Sequence, residues 1–145
     1  MEWSDSSEQA SFRSEVRTFI ERELPEHYRP DKAGPQAWSD DRFSGDAERK
    51  ALSDSWVKAL AAKGWIAPAW PVEYGGAGLT SMEQFIFNHE MARASAPAVG
   101  GQEISQIGPA IILHGSDELK AEYLPRILSG ETNWCQGFSE PGSGS

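Results

Sequence analysis

The sequence predicts a mainly α-helical chain that ends in one short strand. Six stretches repeat their apolar residues at helical spacing, and nowhere along the chain do strands alternate with helices. Prolines and glycines separate these stretches, as they do at helix ends. The stretch 134–145 differs, because aromatic and small residues are followed there by a glycine and serine run. We therefore expect an all-α fold of about six helical segments, followed by a strand near 134–138 and a loop.

The first helix is predicted over residues 6–24. Its apolar residues recur at helical spacing, Ser6 and Gln9 have the spacing of a capping box, and Pro25 follows the end. Residues 25–45 contain three prolines and two glycines without a sustained period. This second stretch predicts an irregular connector with at most a short turn of helix.

A second helix is predicted over 46–63, because its apolar positions share one side and Gly64 follows as a C-terminal cap. Residues 65–79 predict a loop that its aromatic side chains pin to the helices. These are Trp65, Trp70 and Tyr74. The glycine-rich run 75–78 has neither the lysine of a phosphate-binding P-loop nor a preceding strand, so it predicts a structural turn.

The next helix is predicted to begin at a capping box of Ser81 and Gln84 and to continue to about Ser95. His89 lies on or beside its apolar face, which predicts a partly buried packing residue. No second metal-binding side chain lies one helical turn away, so we expect no metal site there.

Two further helical stretches complete the helical part. Residues 99–114 have helical spacing, with a kink or division expected at Gly108-Pro109. Ser116 is expected to cap a helix over 117–124, and Pro125 to open one more turn.

The composition restricts the partners. With 13 basic and 22 acidic residues the net charge is −9, which disfavours nucleic acid or an anionic membrane. No stretch has the length and apolarity of a membrane span, and the start lacks the features of a signal peptide. A single cysteine, Cys135, forms no internal disulfide. We expect a cytoplasmic location and a packed Cys135 thiol.

The end of the chain allows two interpretations on its pattern alone. Glycines remove the Cβ barrier and serines supply hydroxyls, so a loop of this kind can bind a phosphate or a heterocycle. Such runs are also typical of flexible tails.

Three blocks of sequence resemble motifs of the acyl-CoA dehydrogenases. Residues 138–145 read F-S-E-P-G-S-G-S, which is similar to the flavin-binding T-E-P-x-x-G-S-D of that family. Gly64-Trp65 and the P-V-E-Y-G-G-A-G of 71–78 resemble the family's G-W followed by P-x-E-Y-G-G-x-G. The H-E-M-A-R-A of 89–94 resembles the helix that comes next. The resemblance covers about residues 8–145.

This resemblance implies the fold and the reaction. Residues 1–130 would form the N-terminal helical domain, and 131–145 would begin the middle β-domain. The family uses FAD to desaturate an acyl-CoA thioester between its α and β carbons, and electron-transfer flavoprotein is the expected acceptor. The family's assemblies imply a homo-oligomer or a hetero-oligomer with a related chain.

The resemblance also implies cofactor contacts. By position in the motif, Gln136, Phe138, Ser139 and Ser145 would contact FAD, and Ser145 would also contact substrate. Ser139 stands where a threonine is usual, which keeps the hydroxyl and loses the methyl group. We expect no catalytic residue in this chain, because the family's glutamate base would follow Ser145. For three other carboxylates a structural or solvated role is expected: Glu90, Glu103 and Glu140.

In the family, the helix that matches 99–107 lies near the distal end of the acyl chain. Gln102 and Gln106 are one helical turn apart, and their amides would suit a substrate with polar or bulky features. Gly100-Gly101 would leave room for a ring or branch. Alternatively, both amides bond to neighbouring loops and never contact substrate.

Two other functions remain open at this point. One is a non-catalytic homologous subunit that pairs with an active dehydrogenase. The other is a helical interaction module that uses its apolar faces alone.

Overall fold

The computed structural model describes residues 4–132, 134–135, 137 and 139–144. Within them the chain is helical, which confirms the predicted fold class. The six α-helices are α1 (Ser7–Glu23), α2 (Ala37–Arg42), α3 (Ala47–Ala62), α4 (Ser81–Arg93), α5 (Gly108–His114) and α6 (Asp117–Leu128). Two 3₁₀ turns, Glu26–Tyr28 and Val72–Tyr74, and one π-helical turn, Glu103–Ile107, lie between them.

Helix α1 begins and ends where its sequence predicts. The Ser6 hydroxyl accepts from the Gln9 N–H at 3.2 Å, and the Gln9 side chain accepts from the Ser6 N–H at 2.9 Å. This reciprocal capping box satisfies two backbone donors that the helix itself leaves unpaired. The helix ends before Pro25, which cannot continue it.

The connector after α1 is more ordered than its sequence predicts. It contains the turn Glu26–Tyr28 and the six-residue helix α2. The expectation of at most a short turn of helix was therefore wrong. Tyr28 and Trp38 are buried in the core, and this burial organises a segment whose prolines hide any periodicity.

The glycine loop after α3 is a structural turn, as predicted. Gly64 has a φ of +69°, and a Cβ there would lie 2.8 Å from the carbonyl carbon of Gly76. A Cβ on Gly76 would in turn lie 2.2 Å from the carbonyl oxygen of Trp70. Two backbone segments therefore meet at a distance that only glycines permit. Trp65 and Trp70 are both buried and hold the loop against the helices.

Helix α4 begins one residue earlier in its motif than predicted. The capping box is formed by Thr80 and Glu83, not by Ser81 and Gln84. The Thr80 hydroxyl accepts from the Glu83 N–H at 3.3 Å, and Glu83 accepts from the Thr80 N–H at 2.8 Å. A carboxylate is the stronger acceptor and suits the positive end of the helix dipole. The hydrogen bonds from Thr80 lower the pKa of Glu83.

His89 is exposed, so the expectation of a partly buried packing residue was wrong. The buried residues of α4 are Ile86, Phe87, Glu90 and Met91. His89 falls just outside this stripe, and its ring lies beside Phe85 with a centroid distance of 6.1 Å.

The last three helical segments differ in part from expectation. Helical structure begins after Gly101 and not at 99, and the predicted division at Gly108-Pro109 takes the form of the π-helical turn. Helix α6 runs through Pro125, so the separate turn predicted there was wrong. Proline removes only one hydrogen bond of the helix, and the buried Leu124 and Ile127 hold the last turn in place.

Two clusters of buried side chains form the core. The larger one joins α1, α3 and α4 and includes Val16, Phe19, Trp56, Leu60, Trp65 and Phe87. The smaller one joins the glycine loop to α6 and contains Ala67, Trp70, Leu124 and Ile127. Ile104 packs against both clusters, so the turn that carries it sits where they meet.

The end of the chain forms no strand among its described residues. Glu140 and Ser143 form an isolated bridge around a tight turn. Cys135 is exposed, so the expectation of a packed thiol was wrong. A strand needs a partner for its backbone groups, and the described chain offers none here.

None of the described helices has the length and apolar character needed to cross a bilayer. The predicted cytoplasmic location stays a prediction.

Candidate functional site

The π-helical turn Glu103–Ile107, called the π-turn below, is the most unusual backbone feature of the fold. The N–H of Gly108 donates to the carbonyl of Glu103, five residues earlier. The residue after Gly108 is Pro109, which has no N–H to continue this pattern. The carbonyl of Ile104 instead accepts from the indole Nε1 of Trp70 at 2.9 Å. Proline and tryptophan together therefore produce a turn of a kind that recurs at functional sites.

Trp70 holds the π-turn by packing as well as by this hydrogen bond. Its side chain is only 2% exposed. A Cβ built on Gly108 would lie 1.8 Å from Cζ2 of the Trp70 ring, so the ring occupies the space that a side chain would need. The position of the π-turn relative to the glycine loop is thus determined by direct contact between the two.

Two cavities flank the chain between 99 and 104. The first, the Glu103 cavity, has a volume of about 200 Å³ and is bounded by α2, α3, the π-turn and the end of α6. The second, the Met91 cavity, has a volume of about 230 Å³ and lies between α3, α4 and the same chain segment. Val99, Gly100 and Ile104 line both. Gly100 has a φ of +93°, and a Cβ there would lie 2.5 Å from Ile104.

The Glu103 cavity combines apolar walls with charged side chains. Val57, Ile66 and Ile127 supply apolar surface. The charged side chains are Arg42, Lys50, Asp54 and Glu103. Lys50 is held by Asp54, whose carboxylate oxygens lie 3.0 and 3.1 Å from its ammonium nitrogen.

Glu103 is 8% exposed. Over the part of the chain that the structure describes, no hydrogen bond or ion pair reaches its carboxylate. Its carboxylate oxygens are not among the buried side-chain atoms that lack a partner in the described chain, so they reach solvent through the cavity. A structural or solvated role was expected for Glu103, and the structure places it in the wall of this cavity.

The two predicted substrate-binding amides lie beside these cavities. Gln102 is half-buried and Gln106 is exposed. Neither residue lines the Glu103 cavity or the Met91 cavity. Their role in substrate binding stays a prediction, as does the alternative that they bond to neighbouring loops.

A third and wider cleft lies between the glycine loop and α6, with a volume of about 480 Å³. Tyr74, Leu124 and Leu128 contribute apolar surface, and Lys120 lies over the Tyr74 ring at 5.8 Å. This cleft could not be predicted from the sequence, because its two walls are about fifty residues apart in the chain.

The predicted flavin-binding stretch is described in part. The N–H of Glu140 donates to the carbonyl of Ser143 at 2.7 Å, and the reverse bond is 3.1 Å long. The hydroxyl of Ser139 lies beside Gly144, where a Cβ would be 2.9 Å from it. A Cβ on Gly142 would meet nothing within 4 Å, so this side of the turn is open. The other expected ligands, Gln136, Phe138 and Ser145, lie outside the described residues.

Only part of this turn is open to a ligand. Ser139 is exposed and the space beside Gly142 is empty, but the N–H groups of Glu140 and Ser143 bond across the turn. Tyr123 packs against Trp134 with a centroid distance of 5.8 Å, which ties the stretch to α6. Ser139 as a cofactor ligand nevertheless remains a prediction.

Glu90 is buried for a structural reason. Its carboxylate accepts from Arg13 at 2.8 Å and from Arg17 at 2.7 and 3.1 Å, which joins α4 to α1. Burial by itself would raise its pKa, but the hydrogen bonds from Arg17, Arg13 and His89 outweigh that effect and lower the pKa to about 2. Glu90 is thus an ionised structural residue, which agrees with the structural role expected for it.

A second buried polar group supports the connector. Tyr28, Asp41 and Ser53 are each at most 2% exposed. His27 Nε2 lies 3.1 Å from Asp41 Oδ2. Burial raises the pKa of the Tyr28 hydroxyl, and the neighbouring Asp41 charge raises it further. These residues lie where α2 packs against α3, the Tyr28 hydroxyl and the Ser53 hydroxyl have no hydrogen-bond partner among the described residues, and none of the three lines a cavity described above.

The arrangement of the site supports ligand binding. Among the described residues, no three side chains of the metal-binding types come together. Glu140 is exposed in its turn, and Glu90 is held by arginines. What the described chain provides is two cavities on either side of one glycine-containing segment, and an open turn that carries a hydroxyl.

Comparison with known proteins identifies the family. Residues 6–131 match the model of the acyl-CoA dehydrogenase N-terminal domain. The chain is 38% identical over 138 residues to the acyl-CoA dehydrogenase IpdE1 of Mycolicibacterium smegmatis, covering 92% of this chain and 33% of that protein.

Solved structures agree. The ChsE4–ChsE5 complex of Mycobacterium tuberculosis superposes with a TM-score of 0.68 at 31% identity, over 99% of this chain and 33% of that one. The Tcur3481–Tcur3483 steroid ACAD superposes with a TM-score of 0.66 at 30% identity, over 99% of this chain and 34% of that one. The chain thus spans about a third of the length of these relatives. It belongs to the acyl-CoA dehydrogenase family, and its residues 6–131 form that family's N-terminal helical domain.

Proposed function

We propose that this chain is the N-terminal part of an FAD-dependent acyl-CoA dehydrogenase. The reaction removes the α proton of an acyl-CoA thioester to a base and the β hydrogen as hydride, which leaves a double bond between the two carbons. When bound, FAD would accept the hydride. The match of residues 6–131 to the family's N-terminal domain carries this proposal.

The contribution of this chain to the cofactor site is the stretch 131–145, which we propose begins the middle β-domain. The Ser139 hydroxyl and the open glycine turn would hold FAD, together with Gln136, Phe138 and Ser145. The fit of the described turn to a polar ligand supports this assignment. The base is not assigned to any residue of this chain, and these 145 residues alone are expected to be inactive.

The contribution to the substrate site is the segment from 99 to 107. Gly100 keeps the chain between the two cavities free of a side chain. Gln102 and Gln106 lie outside the lining of both cavities and would contact the acyl group beside them. We propose that the acyl group is bulky and carries a ring or branch. The similarity to a protein described as a steroid ACAD supports a bulky acyl group, since a steroid is a bulky ring system.

The partners follow from the same proposal. Acyl-CoA is the substrate, and electron-transfer flavoprotein is the acceptor. The structural relatives include a complex of two differently named chains, ChsE4 and ChsE5, which supports assembly with a related chain or with a second copy. The same observation supports an alternative function, a non-catalytic subunit that pairs with an active dehydrogenase.

One experiment distinguishes the two functions. The complete protein is purified alone and with any related chain that co-purifies, and is then titrated anaerobically with a ring-bearing acyl-CoA. A dehydrogenase is expected to carry FAD and to lose its visible flavin absorbance as the thioester is oxidised. A protein that binds no flavin in either preparation would contradict the proposal and favour the non-catalytic subunit.

Ser139→Ala tests the flavin contact within that experiment. Loss of one hydrogen bond to a neutral group costs about 1 kcal/mol, so flavin reduction is expected to slow about fivefold with little change in unfolding. An unchanged rate would remove Ser139 from the cofactor site.

A further inference from the structure

Three buried oxygen atoms in the contact between the connector after α1 and helix α3 have no hydrogen-bond partner among the described residues. They are the Tyr28 hydroxyl, Asp41 Oδ2 and the Ser53 hydroxyl. Each of the three residues is at most 2% exposed. A buried polar group without a partner is costly, so native proteins satisfy nearly all such groups with a protein atom or an ordered water. This contact therefore needs a partner that the described side chains do not supply.

The geometry places the three groups side by side. The centroid of the His27 ring lies 5.2 Å from that of Tyr28, and His27 Nε2 lies 3.1 Å from Asp41 Oδ2. Burial raises the pKa of the Tyr28 hydroxyl, the Asp41 charge raises it further, and the Ser53 side chain lowers it. Such effects act over short distances, so Ser53 is also a neighbour. The three oxygens are thus close together without being bonded to one another.

His27 does not by itself satisfy the Asp41 carboxylate. Its Nε2 is within ion-pair distance of Oδ2, but the two atoms are not aligned as a hydrogen bond, and 33% of the His27 side chain is exposed. An ionised carboxylate oxygen also accepts from more than one donor. Asp41 Oδ2 therefore remains available to a group inside the contact.

The chemistry of the three oxygens indicates which group this is. Each hydroxyl both donates and accepts, and the carboxylate oxygen accepts, so one water can donate to Asp41 and accept from Tyr28 and Ser53. Three hydrogen bonds are typical of a buried water. A divalent cation needs about six oxygen ligands, and no three side chains of the metal-binding types come together among the described residues. An anion would be repelled by the Asp41 charge.

We infer that one water molecule is bound in this contact and is held by Tyr28, Asp41 and Ser53. This water joins the turn Glu26–Tyr28 and helix α2 to helix α3. Arg42 and Phe43, which follow Asp41 directly, line the Glu103 cavity. The bound water therefore also holds the wall that α2 contributes to this cavity. The inference does not depend on the proposed function, since it concerns only how the connector is attached.

The direct test is a high-resolution crystal structure of the complete protein. We expect the density of a single water within about 3 Å of at least two of the three oxygens. Direct bonds among these oxygens with no density between them would overturn the inference. A metal ion, recognised by oxygen ligands at about 2.0–2.6 Å, would overturn it as well.

Two variants test the water in solution. Tyr28→Phe and Ser53→Ala each remove one hydrogen bond to it, so each is expected to raise the ratio of unfolded to folded protein about fivefold, measured by urea titration. Because both hydroxyls share one water, the effect of the double variant is expected to differ from the sum of the two single effects. Single variants as stable as the parent, or additive effects in the double variant, would contradict the inference.

Ser55→Ala is the matched control. Ser55 lies on α3 two residues after Ser53, but it is exposed, and its hydroxyl donates at 2.7 Å to the Leu52 carbonyl of the same helix. Its removal is expected to change the ratio by about twofold or less. An effect as large as that of Ser53→Ala would show that the loss reflects any serine of α3 and would overturn the inference. The crystal structure of the parent decides the question even where a variant does not fold.

Discussion

Two buried glutamates, thirteen residues apart, show how differently one fold uses the same side chain. Glu90 lies at the contact of α1 and α4, where Arg13 and Arg17 surround its carboxylate. Glu103 lies at the start of the π-turn, in the wall of a cavity that holds both apolar and charged side chains, and its carboxylate oxygens reach solvent there. A low exposure of the whole residue therefore does not show that a carboxylate is desolvated. The donors around Glu90 and the solvent access of Glu103 separate the two cases.

The largest loss of stability is expected when the Glu90 carboxylate is removed. Glu90→Gln leaves Arg13 and Arg17 beside a neutral amide, and Arg13 is largely buried, with 14% of its side chain exposed. Breaking a buried pair in this way costs about 3 kcal/mol or more. We expect a loss of this size in the free energy of unfolding, measured with urea.

The matched comparison is Glu103→Gln in the same protein. If Glu103 has no structural partner, this variant is expected to unfold at or above the urea concentration that unfolds the parent. Equal losses for the two variants would show that the glutamates do not differ.

The dependence of stability on pH tests the role of Glu90 without a mutation. The pKa of Glu90 is lowered from 4.5 to about 2 in the folded protein. A group with a lowered folded pKa stabilises the protein above its unfolded pKa, and that stability is lost as the pH falls towards the folded value. We expect up to about 3 kcal/mol from this group to be lost between pH 5 and pH 2.

The measurement is urea unfolding at pH 7, 4 and 3 for the parent and for Glu90→Gln. The parent should lose stability more steeply than the variant over this range, because only the parent has this carboxylate. Parallel curves would mean that Glu90 does not contribute to the acid sensitivity.

At the end of the π-turn, packing should matter more than charge. Gly108→Ala places a Cβ 1.8 Å from the Trp70 ring, which must then move. Overpacking of this kind costs about 2 kcal/mol. Gly45→Ala is the control, since a Cβ there meets nothing within 4 Å. If Gly108→Ala loses no more stability than Gly45→Ala, the π-turn and the Trp70 ring move to accommodate the added methyl group at little cost.

The smallest expected effect is the loss of one hydrogen bond. Trp70→Phe keeps an aromatic ring but removes the donor to the Ile104 carbonyl, which is 2.9 Å away. We expect about 1 kcal/mol of lost stability from the hydrogen bond itself, in addition to the packing that the smaller ring loses beside Gly108. Trp56→Phe is the counterpart in the larger core, where the indole donates to the Pro97 carbonyl at 3.0 Å. If only the Trp70 variant changes the binding of a cyclic acyl-CoA, the hydrogen bond matters for the site and not for the fold alone.

Several helix ends could be predicted from the local sequence, because the residues that form each cap are neighbours in the chain. The Ser6 and Gln9 capping box spans three residues, and Gly64 ends α3 through its own backbone angle. The capping box of α4 shows the limit of such reading. Two adjacent pairs fit the motif, and the pair with the carboxylate is the one that formed.

Only part of the candidate site could be predicted from the sequence. The division at Gly108-Pro109 followed from residue type, because proline lacks a donor. The room for a ring or branch beside Gly100-Gly101 stays a prediction. The place of Glu103 in a cavity wall did not follow. A glutamate in a polar helical stretch looks solvated in sequence, and no local pattern shows that a cavity forms around it.

Most helical segments, most of their ends and the family motifs could be predicted from the sequence, since these depend on residues within a few positions of one another. The pairing of charges and the positions of the cavities could not, because they depend on tertiary packing. Arg13 and Glu90 are 77 residues apart, and Trp70 and Ile104 are 34 apart. Contacts over such separations depend on how whole helices pack, and packing is set by the sum of many apolar contacts that no short motif encodes.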